Sequence, residues 1–453
     1  MIKFTHKNDF SVVKTGSQSK KILFSILGTK DNHNIQRMPL NISLAIDVSG
    51  SMNDIVHSKK DNEPPMNIFA PSMPANQMLQ NIKAQQYFPQ CAPQKNNSTK
   101  LHQVIQSAQA CLDLLEPGDF ISIVTFNNVS RVILPSTQIN STNKQMIQNL
   151  LNTIWAHGGT NLHDGWVTAG LEVAKNLNAN YINRILLLTD GETNIGVQDT
   201  PTIVNTVKEL FIRGISTTTF GFGDKYNEDL LEKMASISGG NSYYIQDNSE
   251  ALSTFINEFK CLNSLVTDNA TLEFVPTQSS YSITSLNELD FVNKKFIVGN
   301  LIHNKDMTYL FEFHFDNSLK NGDLFNLGKM ILSYTDSKGH TQNQILDLTY
   351  FTVVDEVFTN QVVDKDVEVK NAILAMAKTQ KMAKEEINRG NSDRAYELLN
   401  NSIISASAYS FDSNVNAEIS QLTTLLAEKD NYSSAGFAKN LSSMAYTTRN
   451  NRK

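Results

Sequence analysis

Cysteine is scarce in this chain: three residues in 453, Cys91, Cys111 and Cys261, far apart and odd in number. That argues against a disulfide framework and fits a reducing compartment; with no C-x-x-C pair, zinc-finger and RING sites are excluded as well. An excess of either charge is also missing. With 39 Lys and Arg against 45 Asp and Glu, the net charge is -6, which disfavours a nucleic-acid or polybasic membrane role. Long apolar runs are lacking too. The opening MIKFTHKNDFSVVKTG has no signal-peptide core, and no later run approaches the roughly 18 uncharged apolar residues of a membrane span. A cytoplasmic protein without a transmembrane segment is the expectation.

What is there reads as a folded, multidomain protein. Apolar residues make up 40% of a chain too long for one ordinary core. FSVV and KILFSIL, within residues 1–38, read as strands that need a sheet elsewhere to pair with. From residue 39 to 263 continuous apolar runs alternate with helical patterns. NISLAIDV, DFISIVTF, RILLLTD and GISTTTFGFG have the composition of central parallel strands covered on both faces, which specifies a doubly wound α/β sheet. Residues 53–98 interrupt it with six prolines, many Asn and Gln, and no lasting periodicity; this insertion leaves just after a serine-rich loop. Over 264–358 the period becomes two, in six runs from TLEFVP to QILDLTYFTVV, the pattern of an antiparallel β-sandwich able to recruit the N-terminal strands. The α/β domain is then an insertion between two parts of that sheet. Residues 364–448 read as a helical bundle, with Val369, Ile373, Met376 and Ala377 as an apolar stripe and Ser392 as a candidate N-cap.

The chemistry lies in three loops. DVSGS places Asp47, Ser49 and Ser51 in alternation beyond the first buried strand, so their oxygens can converge on one point. Two hydroxyls and a carboxylate make a hard, oxygen-only site of low charge, suited to Mg²⁺ or Mn²⁺. HGGTN puts Thr160 on a double-glycine turn before a helix, and LLLTDGET puts Asp190 at the end of another buried strand. All three loops fall on the carboxyl edge of the sheet, where such folds bind ligands. Helix capping by Asp47, Asp190 or Thr160, and turn-making by the glycines, are the competing readings.

The segments LNISLAIDVSGSM, WAHGGTNLHDG and RILLLTDGETN resemble the metal-site segments of von Willebrand factor type A (VWA) domains. The resemblance implies Ser49, Ser51 and Thr160 as metal ligands, Asp47 and Asp190 as acidic support, and a position left open for a partner's Asp or Glu. It also implies Mg²⁺, with Mn²⁺ or Ca²⁺ as substitutes, and close backbone approach at Gly158, Gly159 and Gly191. TTTFGFG, ASISGG and VEVK, with the segment order, are similar to a subgroup of bacterial VWA proteins and plant WAV3-type ubiquitin ligases, without the RING. The function so implied is a metal-dependent protein-binding scaffold or adaptor and not an enzyme. The alternatives are an adaptor recruiting substrates to a separate ligase or chaperone, and an assembly subunit whose metal only stiffens the fold. His57, His102, His157 and His163 lack metal-ligand spacing, and Asp119 with Arg131, or Asp164 near Asp190, read as structural or rim charges. GFGDK lacks the spacing of a phosphate loop.

Overall fold

The computed structural model describes residues 2–15, 19–29, 37–55, 99–246, 248–315, 320–336, 338–353, 357 and 359–451. The N-terminal strands are β1 (Ile2–Asn8), β2 (Val13–Lys14) and β3 (Ser19–Gly28). An α/β core follows: β4 (Leu40–Asp47), helix α1 (Lys100–Leu114), β5 (Phe120–Phe126), β6 (Ser130–Gln138), α2 (Lys144–Leu151), α3 (Leu162–Ala174) and β7 (Ile182–Thr189). It closes with α4 (Thr200–Ile212), β8 (Ser216–Phe222), α5 (Glu228–Ser238), β9 (Ser242–Ile245) and α6 (Asn248–Ser264).

Every residue of β4 and of β7 is buried, because helices cover both faces of the sheet. Ile42, Leu44 and Ile46 point into one apolar cluster with α1, α2 and α6. Ala45 points the other way, into a cluster with α3, α4 and α5 built around the fully buried Trp166. The strand order β6-β5-β4-β7-β8-β9 is parallel except at β6, which returns antiparallel on β5. The sequence reading has no strand at β6. Its RVILP segment is an edge, with Val132 40% exposed, and such a half-covered strand lacks the continuous apolar run of its neighbours.

Beyond residue 264 lie seven strands: β10 (Leu265–Pro276), β11 (Ser282–Ser285), β12 (Phe291–Val292), β13 (Lys295–Ile302), β14 (Asp306–His314), β15 (Leu324–Thr335) and β16 (Thr341–Val353). They form two sheets, ordered β1-β3-β14-β11 and β12-β13-β10-β15-β16-β2, so both take strands from the chain's N-terminal segment. Phe24, Phe311, Phe313, Leu272 and Met330 fill the space between them.

Helices α7 (Lys365–Asn388), α8 (Ser392–Ala406), α9 (Ser413–Ala427) and α10 (Ser434–Arg449) complete the fold as a bundle. Ile373 and Met376 lie in its core, as their spacing suggests. Ser392 is the first helical residue and not the cap; that place belongs to Asn391, whose amide group bonds Glu386 Oε2 instead. On its other side α7 sets Val367 and Leu374 against Leu23 of β3 and Leu310 of β14.

The three units meet at Gly239 and Gly240. Gly239 takes φ +74° where its backbone abuts that of Gly299 in β13, and a Cβ there would lie 2.7 Å from the Gly299 Cα. The Tyr446 hydroxyl of α10 donates to the Gly240 carbonyl at 3.1 Å. Arg184, fully buried in β7, spans the same junction, donating to Thr218 Oγ1 at 3.1 Å and to Asn300 Oδ1 at 2.8 Å. Among the described residues no helix is long and apolar enough to cross a membrane.

Candidate functional site

In the sheet order, β4 is the strand at which the winding reverses: β5 lies on one side of it and β7 on the other. Their carboxyl ends therefore open a crevice, the usual ligand position in such sheets. Asp47 is the last residue of β4 and Asp190 the first beyond β7, and both are fully buried. Each carboxylate is engaged by the chain. Asp47 Oδ1 accepts the Ser49 amide at 2.8 Å and Oδ2 the Thr189 hydroxyl at 2.6 Å. Asp190 Oδ1 accepts the Ser51 hydroxyl at 2.7 Å, and Oδ2 accepts the ammonium of Lys100. Burial pushes the Asp47 carboxyl up to about 6, against the opposing hydrogen bonds from Thr189 and Ser49. A nearby cation would favour its charged form.

Above the aspartates stand the hydroxyls. Ser49 Oγ and Ser51 Oγ are 3.1 Å apart at the start of a short 3₁₀ turn, Gly50–Asn53. Thr160 arrives from the loop before α3, which is locked to its neighbours by backbone groups. The Gly50 amide donates to the Gly158 carbonyl at 2.9 Å, and the amides of Asn194 and Ile195 donate to the Thr160 carbonyl at 3.0 and 3.2 Å. Gly158 makes that turn at φ +81°, a conformation costly for residues with a Cβ. A Cβ at Gly191 would sit 3.6 Å from Thr160 Oγ1 and 3.7 Å from Ser51 Oγ. Two hydroxyls from different loops thus border the same space, left free by a missing side chain. The five residues Asp47, Ser49, Ser51, Thr160 and Asp190 are brought together, and their oxygen-only donors fit a hard divalent cation.

Of the histidines and the other charges singled out in the sequence, none among the described residues joins this cluster. Asp119 is bound not to Arg131 but to Arg37, at 3.0 and 2.6 Å, and accepts the Leu40 amide at 2.8 Å, so it anchors the start of β4. Asp164 accepts the Ser130 amide at 2.8 Å and fixes the β5–β6 turn. His102 bonds Gln106, His163 lies near Thr206 and Trp166, and His157 bonds Asn127. Among the described residues no three His, Cys, Asp or Glu side chains form a metal cluster. His57 and residues 56–98 of the insertion, with its MNIF and MLQNIKAQQYF segments, lie outside the described residues; its ends meet in a bridge between Ile55 and Thr99.

Three functional-site neighbours escape the sequence reading. Lys100 opens α1 and reads as an ordinary first-turn residue, yet it is only 6% exposed. Thr189 opens the TDG turn and Asn194 follows it; they hold Asp47 and Thr160, in roles that polar side chains near any strand end could fill. On the rim, Trp155 is 65% exposed and stacks on His157 with ring centres 3.9 Å apart. The His157 amide in turn donates to the Val48 carbonyl at 2.7 Å, beside the DVSGS loop.

Comparison with known proteins agrees with this architecture. The family model of the von Willebrand factor type A domain matches residues 95–258. An uncharacterized protein of Synechocystis, sll0103, is 25% identical over 376 residues, covering 80% of this chain and 76% of its own. The uncharacterized protein YfbK of Escherichia coli is 33% identical over 207 residues, which are 44% of this chain and 36% of that one. Among solved structures, a von Willebrand factor type A protein from Catenulispora acidiphila superposes with a TM-score of 0.71 at 13% identity. That likeness covers 98% of this chain and 96% of the other, so the whole arrangement of core, flanking sheets and bundle recurs as a fold. VWA domains are typically non-catalytic adhesion or scaffold modules, consistent with the fold found here.

Proposed function

We propose that this chain is a scaffold or adaptor that binds a protein partner through a divalent cation held by Ser49, Ser51 and Thr160. Asp47 and Asp190 orient the hydroxyls and balance charge from beneath. The observation that carries the reading is the meeting of three sequence-distant loops over one opening, with Thr160 Oγ1 and Ser51 Oγ both facing the space above Gly191. Mg²⁺ suits these low-charge oxygen donors best, with Mn²⁺ or Ca²⁺ as substitutes. Once bound, the cation would offer a coordination position to an Asp or Glu of the partner, a charge-assisted contact in which no covalent bond changes. The 80% coverage of this chain by the Synechocystis relative supports its assignment to the bacterial subgroup that also resembles the plant WAV3-type proteins. Scarce cysteine supports a cytoplasmic setting. We further divide the chain into N-terminal strands 1–38 that belong to the sandwich, a VWA domain 39–263 with insertion 53–98, the sandwich 264–358 and the helical domain 364–448.

The test is affinity purification from native extract with quantitative mass spectrometry. Wild type in Mg²⁺ is compared with wild type in EDTA and with Ser49→Ala/Ser51→Ala, its folding checked by circular dichroism. Partners retained only by wild type in Mg²⁺ are the expected result. An identical partner list in all three arms would reject the crevice as the docking face.

A further inference from the structure

Lys100 brings a full positive charge into the crevice. It is the first residue of α1, 94% covered, with its ammonium on Asp190 Oδ2. The backbone gives it little freedom to leave. Its amide donates to the Asp54 carbonyl at 3.2 Å, the preceding Thr99 pairs with Ile55, and Gly223 packs against its side chain, where a Cβ would lie 3.6 Å from Cε. Withdrawal would also strand the fully buried Asp190 without its cation. Among the described residues the other charge within 4.0 Å of the ammonium is Asp54, which is itself 3.5 Å from Lys225, so that pair contributes no net charge.

The consequence is a matter of counting. Two aspartates would just neutralise a divalent ion. With Lys100 present, the three buried charges Asp47, Asp190 and Lys100 leave one surplus positive charge when the ion is held. Repulsion between the ammonium and the ion weakens ion binding, and the energy of that repulsion is large where the dielectric is low. A carboxylate entering from outside cancels the surplus.

We propose that Lys100 is a fixed cation that makes the divalent ion and the partner's carboxylate bind as a cooperative pair, each weak without the other. The inference rests on the cation-binding reading above and adds to it the coupling between the two ligands. Because linkage is reciprocal, the factor by which a carboxylate tightens the ion equals the factor by which the ion tightens the carboxylate. A ligand of the same shape without charge gains no such factor. Selection for acidic partners thus arises from a lysine that touches neither ligand directly.

Calorimetry with Mn²⁺ on the full chain tests this, with and without saturating glutarate as the carboxylate probe. In wild type, glutarate should tighten Mn²⁺ binding on the order of tenfold. Lys100→Met and Lys100→Gln should each bind Mn²⁺ on the order of tenfold more tightly than wild type without glutarate, and glutarate should then add little. The glutamine variant keeps a donor for Asp190 and covers the case in which the methionine variant does not fold. Unchanged or weaker Mn²⁺ binding in the folded variants overturns the proposal, leaving Lys100 as an organiser of Asp190 while the metal site stands. If wild type binds no Mn²⁺ in either condition, the cation reading itself fails, and this inference with it.

Discussion

Eight charged side chains line a cavity of about 480 Å³ where α5, the turn around β12, α7 and α10 come together. They are matched within the chain: Lys233 with Asp290, Lys381 and Arg449 with Glu288 at 3.0 and 2.6 Å, Lys384 with Asp229, and Glu232 4.0 Å from Arg449. In the crevice over β4 and β7, two carboxylates and one ammonium underlie hydroxyls from separate loops that face an open point. The first space is thus a joint whose charges hold the units to one another. The second has hydroxyls bordering a point that no described side chain fills. Volume and charge alone do not distinguish a binding site from a strut; the direction of the donors does.

Three substitutions would sharpen or break that contrast. The largest effect is expected at the joint. A Cβ at Gly240 would fall 1.9 Å from the Thr217 carbonyl oxygen, a backbone atom with nowhere to move, so Gly240→Ala should cost about 3 kcal/mol or more in urea unfolding. A variant as stable as wild type would mean that the Gly240 backbone does not press against β8 as closely as described.

The second effect concerns Glu232, which has 17% of its side chain exposed. Burial raises its carboxyl from an ordinary 4.5 to about 7, although Ser442, Lys384 and Arg449 favour the charged form. Its folded-state value lies above the unfolded one, so it contributes stability below pH 4.5 that is lost as pH rises through 7. Glu232→Gln should therefore gain about 1–2 kcal/mol at pH 8 and change little at pH 5, read as melting temperature across that range. A loss of stability at pH 8 would show that the ionised carboxylate is a net binder of the joint.

The smallest effect on stability is expected at the crevice rim. Trp155→Ala removes a ring that is mostly in water, and should shift unfolding by no more than about 0.5 kcal/mol while weakening retention of Mg²⁺-dependent partners. A larger loss of stability would make Trp155 part of the fold and not of the face.

Much of this was legible beforehand, for physical reasons that can be named. β4 and β7 are buried on both faces, so their sequences carry no polar alternation and read unambiguously as central strands. The placement of Asp47, Ser49, Ser51, Thr160 and Asp190 on one edge of the sheet was readable because each lies at a strand end or tight turn that the pattern itself locates. Lys100 was not, since its role depends on an ion pair with a residue 90 positions away. The contacts of Gly239 with Gly299 and of Arg184 with Asn300 are equally hidden, for they depend on how finished units approach one another. The strand β6 was missed because an edge strand needs less apolar sequence than a central one.

The sandwich draws its strands from both flanks of the α/β core, and this fixes an order of events during synthesis. Ser25 in β3 bonds Asp306 of β14, 281 residues later. The β1–β3 ladder can form early, but the strand that covers its other edge emerges only after the core has been made. Pairing at such sequence separation is slow, and until it happens Ile22, Phe24 and Ile26 lack the strands they pack against. The α/β core is thus expected to fold before the sandwich, which closes around its two chain exits in a later and more aggregation-prone step.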